Sequence, residues 1–311
     1  MSIRYCLCCI ALVGACSGQS SQSIRVTSAA SFQPGLPPKG SLGTAFCTGL
    51  QVQGVLTAAA YPLPRTLGGI TLGVGGAPAP MLAVADLGGY QQINFEVPQE
   101  AVSNADLSWT ITAAQNATQI TAQVEMSQSP GEFFQVGAYR GAFQHASDFS
   151  LVTEQNPTRA GEVLVGYLTG LPRTQPTVPT GEAAPFSPLA VVPQPNTIAS
   201  VDQFAILLNG AVIANSCSVL NAPCQPSNVL FLGLTPGIAG VYQVNFVLPP
   251  SPGAGNLTVQ LQRSRCARIS GTPCGGLGVQ FLANAIAGCI SRAVFGTADI
   301  CTGYPVLLPV R

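Results

Sequence analysis

Residues 40–50, GSLGTAFCTGL, recur in outline at residues 161–171, GEVLVGYLTGL: glycine, an apolar strand, then Thr-Gly-Leu at identical spacing. Downstream, residues 90–98 (YQQINFEVP) parallel 242–249 (YQVNFVLP), and 107–112 (LSWTIT) parallel 257–262 (LTVQLQ). The offset between copies grows from 121 residues at Gly40 and Gly161 to 151 at Asn94 and Asn245, so the second copy carries inserted chain. A tandem pair of similar modules follows, and 311 residues leave room for two cores of ordinary size. The boundary is expected at Ser129-Pro130-Gly131, giving modules over residues 24–131 and 132–311, the second with insertions at 215–228 and 263–303.

Strand signals dominate both copies. Leu107, Trp109, Ile111 and Ala113 alternate with other residues, as do Ile120, Ala122, Val124 and Met126, and Gln115-Asn116-Ala117 reads as the tight turn of a hairpin between them. Further short strands fall at 201–208, 229–232, 242–247 and 257–261, punctuated by Gly, Pro and Asn. The fold class expected is all-β, two tandem immunoglobulin-like β-sandwich modules with disulfide-clipped insertions in the second. Residues 143–148 read as a turn, and the Pro- and Thr-rich residues 174–195 as an extended, exposed loop. Residues 279–290 tolerate a helix, or equally a strand and loop.

Composition narrows the function. Charged residues are 8% of the chain, 12 basic against 12 acidic, with 34 Gly and 26 Pro. No basic stripe exists to hold a phosphate backbone, so no nucleic-acid partner is expected. Arg263, Arg265, Arg268, Arg292 and Arg311 outnumber Asp299 near the C-terminus and read as solvated loop charge. At the other end, Arg4 precedes a short apolar run that suits an export signal and is too short to span a bilayer. It ends in Val13-Gly14-Ala15-Cys16, similar to a bacterial lipobox. Residues 1–16 are therefore read as signal, with Cys16 lipidated and the protein held at the outer membrane or cell surface. The alternative is a secreted protein cut near Gly18. A lipid anchor is the only membrane contact expected.

Cys217, Cys224, Cys266, Cys274, Cys289 and Cys301 fall in three close pairs within the second module, as local clips in an oxidising compartment would. Proximity suggests Cys217–Cys224, Cys266–Cys274 and Cys289–Cys301, one of fifteen pairings that six cysteines allow. Zinc spacing is absent among them. Cys47 takes the place of Leu168 and reads as a buried apolar residue.

No catalytic constellation assembles. A triad would have to be built on His145, the only histidine, which sits in QHASD, a stretch that reads as an exposed turn. Gly73-Val74-Gly75-Gly76 precedes Ala-Pro-Ala-Pro rather than a helix and reads as a turn, not a phosphate loop. Asp86, Asn104 and Asp106 lack calcium-loop spacing and read as turn formers. No cofactor or metal is expected. Gln92 with Asn94, and Gln243 with Asn245, each place two amides on one face of a strand. They read either as structural amides or as a polar sugar-binding face, with Tyr90, Tyr242 and Trp109 available as aromatic platforms.

Residues 29–35 (AASFQPG), 40–50, 62–69 (PLPRTLGG), 92–98 (QINFEVP), 129–134 (SPGEFF) and 240–245 (GVYQVN) resemble, in order, the Solibacter-type C-terminal domain of exported acidobacterial proteins. The likeness spans residues 24–262 and returns in a closing strand at 304–310 (YPVLLPV). The Gly-x-Leu strand with Thr-Gly-Leu is also similar to the start of IPT/TIG immunoglobulin-like domains. The resemblance implies a fold and an exported location and transfers no catalytic residues. The cysteine-bearing insertions depart from its pattern. The function expected is a non-enzymatic exported surface protein, an adhesion or envelope-assembly module. Its partner would be protein or polysaccharide at the cell surface, or another copy of itself through loops and strand edges. The alternative is a carbohydrate-binding module for cell-wall or environmental polysaccharide.

Overall fold

The computed structural model describes residues 22–137, 139–193, 201–215, 228–266, 288–293, 297–302 and 304–311; for 201–203, 214–215, 264–266, 288–293 and 297–302 the description covers the backbone. The signal segment with Cys16, and Cys217, Cys224 and Cys274, lie outside the described residues.

All regular structure among the described residues is β-strand. The first ten strands are β1 (Ile24–Ser28), β2 (Leu42–Cys47), β3 (Val55–Thr57), β4 (Thr66–Leu67), β5 (Ile70–Val74), β6 (Ala77–Pro78), β7 (Met81–Asp86), β8 (Gln91–Glu96), β9 (Trp109–Gln115) and β10 (Thr118–Val124). They form two antiparallel sheets, ordered β1-β2-β8-β7-β3 and β10-β9-β5-β4, with β6 against β5. One hydrophobic cluster lies between the sheets, with Ala45, Ile93 and Phe95 from the first and Leu72, Ile111 and Ile120 from the second.

The remaining strands are β11 (Glu132–Phe133), β12 (Phe143–His145), β13 (Val163–Thr169), β14 (Val201–Leu208), β15 (Ala211–Asn215), β16 (Val229–Leu234), β17 (Tyr242–Val247), β18 (Gly255–Cys266), β19 (Gly288–Ala293), β20 (Thr297–Thr302) and β21 (Val306–Val310). They too form two sheets: β11-β13-β17-β16 with β12 on β13, and β15-β14-β18-β20-β19 with β21 on β18. A second cluster, including Phe143, Leu164, Phe246, Ile206 and Leu308, fills the space between.

The matching stretches of sequence take corresponding places in two sheets. Asn94 lies opposite Thr44 across β2 and β8, and Asn245 opposite Val165 across β13 and β17, equivalent positions in the two copies. Thr-Gly-Leu marks the end of the strand in each, β2 stopping at Cys47 and β13 at Thr169. Gly49 and Gly170 take φ of 95° and 91°, a left-handed conformation that favours glycine, and the following Leu50 and Leu171 drop into the cores. The hairpins β5–β6 and β14–β15 turn through Gly75-Gly76 and Asn209-Gly210, all at positive φ, as two-residue turns between twisted strands require.

Three expectations are corrected. Leu107 is not a strand residue: it is 75% exposed at φ 66° in a turn, whereas Leu257 is buried in β18. Gly75 donates its N–H to Thr110 and Asn209 donates to Thr258. The two copies therefore align with Trp109 opposite Leu257 in sequence, two residues from the apparent match. Residues 174–193 are not an exposed loop. Val178, Ala184, Ala190 and Val192 enter the second core, and the segment pairs along β16 through Val192 N–H to Leu232 O (2.9 Å) and Leu234 N–H to Ala190 O (2.8 Å). Proline keeps that stretch extended, and its alternate small apolar residues let it cover an edge strand. Finally, residues 143–145 form strand β12 rather than part of a turn. In the β19–β20 hairpin, Cys289 stands directly opposite Cys301, and Cys266 ends β18.

Hydrogen bonds and packing join the two sets of strands. The Leu42 N–H donates to Thr169 Oγ1 (2.8 Å), whose own hydroxyl donates to the Gly240 carbonyl (3.2 Å). Ser31 Oγ donates to the buried Glu132 carboxylate, and Gly181 N–H donates to the buried Glu96 carboxylate (2.9 Å). Thr180 bonds both Gln99 and Glu100.

Candidate functional site

The outer face of the β1-β2-β8-β7-β3 sheet is built by two cross-strand rows. One runs Arg25, Phe46, Gln92, Ala85, Val55, and the other Thr27, Thr44, Asn94, Ala83, Thr57. These are the residues that strand alternation turns away from the core positions Val26, Ala45, Ile93 and Val84. Gln92 Nε2 donates to Asn94 Oδ1 (2.9 Å), and Thr44 Oγ1 donates to the same oxygen (3.0 Å). The Gln92 carbonyl oxygen and the Asn94 amide nitrogen are left for an external acceptor–donor partner. Ala83 and Ala85 beside them present only methyl groups.

Aromatic rings flank the amides. Phe46 packs between Phe32 (6.2 Å between centroids) and Tyr90 (5.8 Å, edge to face). Phe32 is 51% exposed and Tyr90 43%. The loop that carries Phe32 is closed by Ser28 N–H to Gln33 O (2.9 Å) and Phe32 N–H to Ser28 O (3.1 Å), and holds Phe32 at φ 58°. A bulky residue at positive φ costs roughly 1 kcal/mol or more, and here that conformation sets an apolar ring on the surface. Tyr90 closes the Gly88-Gly89 turn between β7 and β8.

The second copy repeats the amide pair without the open surroundings. Gln243 Nε2 donates to Asn245 Oδ1 (2.8 Å), and Tyr167 faces Gln243 as Phe46 faces Gln92. The Tyr167 hydroxyl is spent on Gln144 Oε1 (2.7 Å). The amide pair itself is therefore common to both sheets, and the exposed rings of Phe32 and Tyr90 distinguish the first.

Two of the expected platform residues are displaced. Trp109 is buried, with Lys39 Nζ 5.7 Å from its ring centroid, and Tyr242 is fully buried with its hydroxyl on Pro172 O (3.1 Å). Neither can stack on a ligand. Parity explains Tyr242: one residue before Gln243, it must point to the opposite face, whereas Tyr90, two before Gln92, shares its side. Phe46 and Phe32 were missed because an apolar residue in a strand reads as core. The signal that could have found Phe46 was its even spacing from Thr44 along β2.

His145 is not in an exposed turn but buried at the end of β12. Its Nδ1 bonds the Glu162 carboxylate and its Nε2 the Asn156 carbonyl (3.1 Å), so both ring nitrogens face oxygen acceptors and neither is offered to a serine hydroxyl. Burial alone would raise the Glu162 carboxyl, but hydrogen bonds from His145, the Arg159 N–H and Thr158 Oγ1 outweigh it and hold the group below its usual range. The neighbouring Ser150 hydroxyl donates to Asp148 (2.8 Å). This is a structural clamp. His145→Gln is expected to cost about 1–3 kcal/mol by taking from the Glu162 Oε1 oxygen its imidazole partner. Urea unfolding should show this loss, while binding by the aromatic face stays unchanged.

Asp106 accepts from the Ser108 N–H and hydroxyl, which hold its carboxyl below the usual range, and Asn104 bonds Ser108 and Gln123. Asp86 accepts from Gly88 N–H. All three serve turns. Cys47 is fully buried, and desolvation pushes its thiol up to about 12. No protein-family model, no curated protein and no solved structure matches the chain.

Proposed function

We propose that this chain is a non-enzymatic exported surface protein, an adhesion or envelope-assembly module of two tandem immunoglobulin-like β-sandwiches. Cys16 tethers it to the outer membrane, or it is secreted. The observation that carries the reading is the pair of exposed rings, Phe32 and Tyr90, that flank the half-buried Phe46 beside the Gln92 and Asn94 amides. Apolar rings held at a surface by a strained loop serve contact with something outside the chain. The commitment of the lone imidazole to Glu162 and Asn156 supports a non-catalytic role.

The exported setting is supported by the lipobox-like Val13-Gly14-Ala15-Cys16 and by the likeness to the Solibacter-type domain. It is supported too by the register of Cys289 against Cys301. Residues directly opposite in an antiparallel pair have Cα atoms about 4.5–5.5 Å apart, inside the roughly 4.4–6.8 Å range of bridged cysteines.

The test uses microspheres coated with the full chain carrying Cys16→Ala, and measures their retention on bacterial envelope preparations under washing. Retention is expected to fall several-fold for the double variant Phe32→Ser, Tyr90→Ser. Equal retention by variant and parent would remove this face from the adhesion reading.

A further inference from the structure

We infer that the outer face of the β1-β2-β8-β7-β3 sheet binds an extended acidic polysaccharide, one bearing uronate carboxylates. The inference rests on the adhesion reading and names its ligand. Sugar rings present an apolar C–H face and a rim of hydroxyls, and the two rows offer a counterpart to each. Phe46 and Tyr90, edge to face at 5.8 Å, supply ring surface for the C–H face. The Gln92 carbonyl and the Asn94 amide nitrogen, left over from their mutual bond, supply an acceptor and a donor group for neighbouring hydroxyls. Beyond the amides, Ala83 and Ala85 put only methyl groups in the path of a chain running towards Val55 and Thr57.

Charge selects the polymer class. Arg25 is exposed at the head of the row that continues into Phe46 and Gln92, and it makes no ion pair among the described residues. Neither row contains a carboxylate. A guanidinium in that position pairs with a planar carboxylate through two parallel hydrogen bonds, which an uncharged hydroxymethyl group cannot match. The sister face on β13 and β17 has the amide pair but spends its tyrosine hydroxyl on Gln144, and serves as the internal control.

The experiment is affinity electrophoresis and calorimetry of the full chain with Cys16→Ala against polygalacturonate, alginate, xylan and amylose. Saturable binding to a uronate polymer is expected, weakened at least ten-fold in Phe46→Ala and in Gln92→Ala, with urea unfolding of each variant confirming that it is folded. Arg25→Gln should remove the preference for the acidic polymers, and raising salt from 50 to 500 mM should weaken only the parent's acidic binding. Tyr167→Phe should bind as the parent does. Equal binding of neutral and acidic polymers by the parent would overturn the acidic class. Absence of saturable binding to all four, with envelope retention intact, would overturn the polysaccharide inference while the adhesion reading stands.

Discussion

Gly75→Ala is expected to destabilise the N-terminal core by about 3 kcal/mol or more, a loss at the severe end for one methyl group. Gly75 opens the β5–β6 turn at φ 52°, where an alanine already costs about 1–2 kcal/mol. A Cβ there would lie 2.2 Å from the Val102 carbonyl oxygen and 2.7 Å from its nitrogen, both backbone atoms. The same loop is tied to the turn by Val102 N–H to Gly75 O (3.2 Å), so relieving the clash means breaking the tie. Gly76→Ala is the control: φ is 77°, but a Cβ meets nothing within 4 Å, and only the conformational cost remains. The second copy sharpens the test, because Asn209 fills the equivalent position at φ 46°. Asparagine tolerates that conformation, yet Gly75→Asn should fail as badly as alanine, since the obstacle is Val102 and not the turn. A urea midpoint for Gly75→Asn close to that of the parent would sink this account.

That contrast also marks what could be read from the residues. Local patterns carried well. The apolar run before each Thr-Gly-Leu reads as a strand and is one in both places, and Gln115-Asn116-Ala117 reads as the turn of the β9–β10 hairpin, in which Gln115 pairs with Thr118 and Asn116 takes φ 53°. The misreadings arose where a tertiary neighbour decides. Residues 174–195 read by composition as an extended, exposed loop, but β16 presents an unpaired edge that an extended chain can cover, so the sparse valines and alanines of 174–193 become core. His145 looked exposed because its neighbours Ser147 and Asp148 form a turn, and Glu162, which draws the ring inward, lies seventeen residues away in sequence.

The candidate face shows the same limit. The amide pairs were legible as shared-face residues because alternation is a local rule. Which aromatic stands beside them was not, since Phe46 is brought to Gln92 by the β2–β8 register and Phe32 by a loop conformation. Trp109, the largest ring in the chain, was the natural platform by size and is the wrong one. Its place at the start of β9 puts it on the side that packs against the other sheet.

Glu96→Gln is expected to stabilise the protein at pH 8 by up to about 3 kcal/mol and to flatten a decline in stability between pH 4.5 and 7. Glu96 ends β8 at the junction of the two cores, where burial pushes its carboxyl up from 4.5 to about 7. The Gly181 N–H pulls it down, and the Glu100 charge pushes it further up. The other ionisable groups around it do not neutralise it. Tyr242 is buried, and both desolvation and the Glu96 charge raise its hydroxyl, keeping it un-ionised. Glu182 shares the small cavity that Glu96 and Tyr242 line. Glu100 is held below its usual range, first by the Thr180 hydroxyl, with Arg65 and Arg173 assisting, so it remains an anion beside Glu96. Because the folded-state value is raised, the protonated carboxyl favours folding. Its contribution is complete below pH 4.5, where the unfolded chain is also protonated, and is lost as pH rises through 7, at about 1.4 kcal/mol per pH unit at most. Glutamine keeps an oxygen for Gly181 N–H and cannot ionise. Urea unfolding at pH 4.5, 6 and 8 should therefore give converging values for parent and variant at the lowest pH and a widening gap above it. Parallel pH profiles would mean that Glu96 stays charged in the folded protein, with the Gly181 N–H and the surrounding dipoles compensating its burial.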